Sequence, residues 1–163
     1  MVAFTYRMPA GIPGDINRVQ AATVEAQIIT PSTLTLHPTV YGVPVVLGTA
    51  GVRTVTSTDA TIYGLLARPF PTGGSQDPLG TSTPPLTGPC DVLVRGYMTV
   101  LLSGGSAAAT KGGAVFVWAA ATSGSHVQGG FEAAASSGNT ITTLGRFMGP
   151  ADASGNIEVA FNI

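Results

Sequence analysis

The stretch that most constrains this chain is Asp91–Ala120, DVLVRGYMTVLLSGGSAAATKGGAVFVWAA. Its first half alternates. Val92, Val94, Met98, Val100 and Leu102 fall on one face, and Leu93, Arg95, Tyr97, Thr99 and Leu101 on the other. A period of two marks a strand with one buried face. The second half sets Val115, Val117 and Ala119 against Phe116 and Trp118. Both of its faces are largely apolar, which places this strand centrally in a sheet. Gly112-Gly113 turns the chain before it, because glycine accepts positive φ without steric cost. Two long strands joined by a loop of small residues form the middle of a β-rich shell.

With 163 residues the chain suits one domain with an ordinary core. Charged residues are 9% of it, against about 25% in a typical soluble domain. Lys111 is its one lysine, and the net charge is -1. So few cations offer no basic footprint for nucleic acid and no polybasic segment for an anionic membrane. The longest apolar run, Val92–Leu102, is interrupted by Arg95 and falls short of the roughly 20 residues a spanning helix needs. No secretory signal pattern opens the sequence. Cys90 is the only cysteine, so no intrachain disulfide forms, as suits folding in a reducing cytosol. Thr, Ser, Ala and Gly dominate instead. Such a weakly charged surface suits a protein largely covered by neighbours.

Met1–Ser32 reads as an extended N-terminal arm, with Pro9 and Pro13 biasing the residues before them away from helix. Within it, Ile16–Thr30 fits either a short helix capped by Asp15 or an extended segment, and its β-branched residues favour the second. Strands are expected over Val40–Leu47, where Pro44 points to an edge or a bulge, and over Val52–Thr56, Ala60–Arg68, Asn139–Met148 and Ile157–Ile163. Phe131–Ser137 fits one helical turn or a loose strand. Pro69–Pro89 holds six of the twelve prolines and reads as a long excursion. The result is an all-β chain. It is a small antiparallel β-barrel or sandwich of about eight short strands, with the arm over residues 1–32 and a single domain over 33–163.

Catalytic chemistry finds little support. Cys90 is followed by Asp91, whose charge raises a thiol pKa, and it reads as a small apolar residue entering a strand. His37 precedes a proline in a turn and His126 sits in a Ser-Gly loop, so both read as solvated surface residues. Two histidines far apart do not make a metal set. The carboxylates are scattered singly. Gly104–Gly112 has the composition of a phosphate-binding loop but not its order. Trp118, Tyr97 and Tyr63 could form a carbohydrate platform, but they occupy strand positions, where packing is the simpler role. No enzyme activity, cofactor or metal is expected.

Three sets of residues carry a resemblance. The arm has Pro13-Gly14-Asp15-Ile16-Asn17-Arg18 followed by Ala22-Thr23-Val24-Glu25. The middle has Tyr41-Gly42-Val43-Pro44-Val45. The final third has Lys111-Gly112-Gly113-Ala114-Val115-Phe116-Val117, then Leu144-Gly145-Arg146-Phe147-Met148, then Gly155-Asn156-Ile157-Glu158-Val159. In these patches the chain resembles the capsid cement, or decoration, proteins of tailed bacteriophages. The resemblance implies a structural virion protein, made in the host cytoplasm and bound to the outer capsid surface. There it would stabilise contacts between major capsid proteins. It implies a homo-oligomer, a homotrimer first and a homodimer second, with no nucleic-acid or membrane partner. Within the arm, Asp15 and Arg18 are the candidate polar contacts and Ile12, Pro13, Val19 and Val24 the apolar ones. Asp15 and Arg18 could instead only fix the local turn. Two other readings remain: a head-fibre or tail β-protein that binds a host-surface glycan, and a hydrolase using Cys90 or a serine.

Overall fold

A computed structural model of the protein describes residues 11–30, 36–69, 83–104 and 108–163. Among them are nine strands and one short 3-10 turn, Val19–Ala21. The strands are β1 Thr23–Ile29, β2 Pro44–Leu47, β3 Val52–Thr54, β4 Gly64–Ala67, β5 Gly88–Leu101, β6 Ala114–Trp118, β7 Phe131–Glu132, β8 Thr140–Phe147 and β9 Asn156–Phe161. The protein is all-β.

The sheet order is β1-β3-β2-β4-β5-β9-β8-β6-β7, and β1 also pairs with β5. That extra pairing closes the first five strands into a ring. The ring is mixed, because β1 meets β3 in parallel at Ile29 and Val52 while the other ring contacts are antiparallel. The remaining four strands extend from the far half of β5, through its pairing with β9.

Two cores follow from this layout. Ile29, Val45, Val52, Leu66 and Val92 form one buried cluster with Tyr41. One residue comes from each ring strand, so this cluster fills the ring. The larger cluster joins the outward residues of the ring, including Val46, Leu65 and Leu93, to Met98, Val117, Phe131, Phe147, Val159 and Phe161 of the extension. β2 and β4 are therefore buried on both faces, and their apolar runs are continuous rather than alternating, whereas β1 is largely exposed.

β5 serves both cores by changing face midway. Thr23 pairs with Arg95 but Val24 pairs with Leu93, so Val94 is an extra residue on β5. A bulge of one residue exchanges the two faces of everything after it. Leu93 before the bulge thus shares the larger core with Met98 and Val100 after it, while Val92 fills the ring. The strict alternation expected over Val92–Leu102 is corrected accordingly. Gly96, at φ +142°, stands just past the bulge, where a Cβ would come within 3.1 Å of the Ala22 Cα.

Several expected elements move. β2 lies between β3 and β4 and is not an edge strand. Pro44 is its first residue, where the missing N–H breaks no central ladder bond. Phe131–Glu132 forms a two-residue strand on β6. Gly88 and Pro89 belong to β5, and Phe70–Ser82 of the proline-rich excursion lies outside the described residues. The N-terminal segment is extended, but its backbone is bonded to its own domain. The Gly14 N–H donates to Thr99 O at 2.8 Å, Thr99 N–H to Asp15 O at 3.0 Å, and Asn17 N–H to Tyr97 O at 3.1 Å. β1 is paired with β5 along its length.

Candidate functional site

The six residues singled out as contacts lie along this N-terminal segment. The segment crosses β5 because two glycines allow close approach. A Cβ on Gly14 would lie 2.7 Å from the Tyr41 Cβ, and one on Gly42 would lie 2.6 Å from the Gly14 nitrogen. The Pro13-Gly14-Asp15 and Tyr41-Gly42-Val43 patches thus pack backbone to backbone. The other pair of patches meets likewise. Gly112 N–H donates to Phe147 O at 2.7 Å, and Phe147 N–H returns to Gly113 O at 3.0 Å. The residues that carry the resemblance hold the fold together at two junctions.

Ile12, Pro13 and Asp15 are half-buried. The Asp15 carboxylate stands 3.9 Å from Arg68 Nε, whose side chain is buried and lies over the Tyr41 ring. Arg18 donates to Glu158 Oε2 at 3.1 Å, and its guanidinium sits 4.0 Å from the Tyr97 ring centroid. Asn17 Nδ2 donates to the same carboxylate at 3.3 Å. Asp15, Asn17 and Arg18 thus have partners within the chain. Among the exposed residues of the segment are apolar ones as well as polar ones: Val19 is 75% exposed and Val24 41%.

The catalytic candidates do not assemble. Cys90 is half-buried. Burial, with a further contribution from the Asp91 carboxylate, pushes its thiol up to about 11, so it is neutral near pH 7 and a poor nucleophile. His37 Nε2 lies 2.7 Å from Pro85 O. His126 is not a solvated loop residue, contrary to expectation. It stacks on Trp118 with ring centroids 4.2 Å apart, and its Nδ1 lies 2.6 Å from Oε1 of the buried Glu132. That pairing forms because the 122–130 loop folds back over β6 and β7, and nothing in local periodicity announces it. Of the aromatic candidates, Trp118 is buried, Tyr97 lies under Arg18, and the Tyr63 hydroxyl donates to Glu25. Packing accounts for all three. Among the described residues no group of three His, Cys, Asp or Glu side chains could hold a metal. No helix among them is long and apolar enough to cross a membrane. A cleft of about 410 Å³ between the ring and the extension is lined largely by apolar side chains such as Val43, Leu101 and Phe131.

None of the curated proteins matches this chain. One solved structure that resembles it is a chain from the capsid of the myovirus phage XM1. The two share 15% identity and superpose with a TM-score of 0.65, over 98% of this chain and 95% of that one. At that identity the likeness speaks for the fold. The sequence pattern of the XM1 gp53 minor capsid proteins, which are structural and not enzymatic, matches residues 1–161. Spanning nearly the whole sequence, that match places this chain in the XM1 gp53 minor capsid protein family, as a structural protein of the virion capsid.

Proposed function

We propose that the protein is a cement protein, bound to the outer surface of a phage head across junctions between major capsid proteins. The family match over residues 1–161 carries this reading. The surface chemistry supports it. A chain with 9% charged residues and an exposed Val19 on a segment pinned to β5 suits a face covered by a protein shell. Burying such apolar residues contributes about 25 cal/mol per Å². Many weak contacts repeated over a closed lattice then act together. In this reading Ile12, Pro13, Asp15, Arg18 and Val19 form the contact, with Val24 at its border. Arg18 and Asp15 act through the residues they hold, keeping Val19 presented.

Co-sedimentation with undecorated expanded heads tests the proposal. Saturable binding that raises the melting temperature of the heads is the expected result. Val19→Asp, at a position that contributes to neither core, should weaken binding at least tenfold without changing the fold. Absence of binding by folded protein would refute the cement role and turn attention to host-surface glycans.

A further inference from the structure

Strand β8 carries a bulge opposite β6. Ala114 pairs with Arg146 and Phe116 with Thr142, so Thr143, Leu144 and Gly145 stand against the single residue Val115. The Thr143 hydroxyl holds the distortion, donating to Val115 O at 3.0 Å and accepting from the Gly145 N–H at 2.9 Å. Gly145 is buried, and a Cβ on it would lie 2.9 Å from that hydroxyl oxygen. Leu144 is thrown outward at 80% exposure, the highest of the large apolar residues among those described. It contributes to neither core. Bulges re-aim side chains, and this one aims a leucine into solvent.

The residues around Leu144 form a face of one charge. Pairing sets Tyr97 beside Ala160, Ala160 beside Arg146 and Arg146 beside Ala114, in a row across β5, β9, β8 and β6. Their chain neighbours Met98, Val159, Phe147 and Val115 lie in the larger core, so the row lies on the outer side of the extension. Arg95 is in phase with Tyr97, and Arg18 lies over the Tyr97 ring. Lys111 begins the turn whose Gly112 O accepts from Arg146 at 3.2 Å. Arg18, Arg95, Lys111 and Arg146 are the exposed cations among the described residues, since Arg53 is half-buried against Asp59 and the Arg68 side chain is buried. Glu158, on the same side of β9, is bound by Arg18 and Asn17. The exposed carboxylates among the described residues, Glu25 and Asp91, stand on the ring instead.

We propose that this outer face docks on an acidic patch of the capsid shell, with Leu144 seated in an apolar recess and shell carboxylates meeting Arg95, Lys111 and Arg146. The inference rests on the cement reading and names a second part of its contact. Charge complementarity selects the partner, because cations grouped about a projecting apolar residue fit a recess rimmed by carboxylates. Arginine suits the role, since its planar fork grips a carboxylate by two hydrogen bonds. The face is continuous with the N-terminal segment, because Arg18 reaches from that segment across Tyr97 to Glu158. Leu144 then serves as an apolar anchor in addition to Val19.

Co-sedimentation of the full chain with undecorated expanded heads, at about 0.05 M and about 0.3 M salt, tests it. Wild-type binding should weaken at least threefold at the higher salt, because screening reaches exposed charges. Leu144→Ser should weaken binding at least tenfold. Lys111→Glu combined with Arg146→Glu should weaken it as much and abolish the salt effect. Circular dichroism and sedimentation mass should stay those of the wild type in both. Folded variants that bind as tightly as the wild type overturn this face and leave the cement role standing. Wild-type binding indifferent to salt overturns the acidic partner. A changed sedimentation mass in either variant gives the face to a second copy of the chain and overturns the capsid as its occupant. Folded wild type that binds no heads refutes the cement role itself, and the inference falls with it.

Discussion

Glu132 is a buried carboxylate, 4% exposed, and its Oε1 meets His126 Nδ1 at 2.6 Å. Removing one partner of such a bond costs more than the bond is worth, because the other is left desolvated. His126→Ala should lower unfolding stability by about 1–3 kcal/mol in urea titration, and Glu132→Gln, which keeps a hydrogen-bonding side chain, by less. A second polar site is Asp59. Its carboxylate accepts two bonds from Arg53, at 2.7 and 2.9 Å, and two more from Thr56. The Arg53 bonds foremost, then those of Thr56, hold its pKa below the usual range against the opposing effect of burial. Its folded value thus lies below the unfolded one. The stability it contributes is complete above about pH 4 and is lost as pH falls through the folded value. The unfolding midpoint of the wild type should drop over that acid range, and Asp59→Asn should flatten the drop while lowering stability at neutral pH. Both sites join residues six apart, near enough in sequence to suspect. Neither was legible, since spacing does not tell how a loop returns.

At the scale of elements, β5 decides the architecture. A strand of 14 residues that belongs to two sheets must turn its buried side from one core to the other. The bulge at Val94 and the glycine at 96 do this together. Gly96→Ala would add a Cβ against Ala22 and force φ +142° on a residue that avoids it. We expect a loss of about 1–3 kcal/mol, read from chemical unfolding, with the near-ultraviolet signal of Tyr97 perturbed. The alternation read over Val92–Leu102 located the strand correctly and misassigned its faces for a simple reason. Periodicity counts residues, and a bulge adds one residue that the count does not see. Pro44 misled in the same way, because a proline excludes a backbone donor but does not say whether the strand begins with it.

On the scale of the molecule, the N-terminal segment belongs to the domain it crosses. Removing residues 1–15 would strip the backbone bonds of Gly14 and Asp15 to Thr99 and the bond from Arg68 N–H to Gly14 O, and would uncover Tyr41. At about 1 kcal/mol per bond, the truncated chain should unfold at clearly lower urea concentration than the full one. Calorimetry of both chains checks this. Of the candidate contact residues, Val19 and Val24 are exposed, and Asp15 and Arg18 have partners in Arg68, Glu158 and Tyr97. Neither exposure nor these partners was legible in the sequence, because both come from parts of the chain far from the segment.

Composition and short-range pattern by themselves determined that this chain is all-β and where most of its strands run. Those properties are local, set by which side chains favour a pleated, half-buried backbone. The tertiary structure alone decided the closure of the ring by Ile29 against Val52, the exchange of faces at Val94, the burial of Glu132 beneath His126, and the exposure of Val24, Ala26 and Ile28 on β1. Each depends on which strand pairs with which and in what register. That is set by the balance of contacts across the whole chain, where one added residue inverts a face and no local window records it.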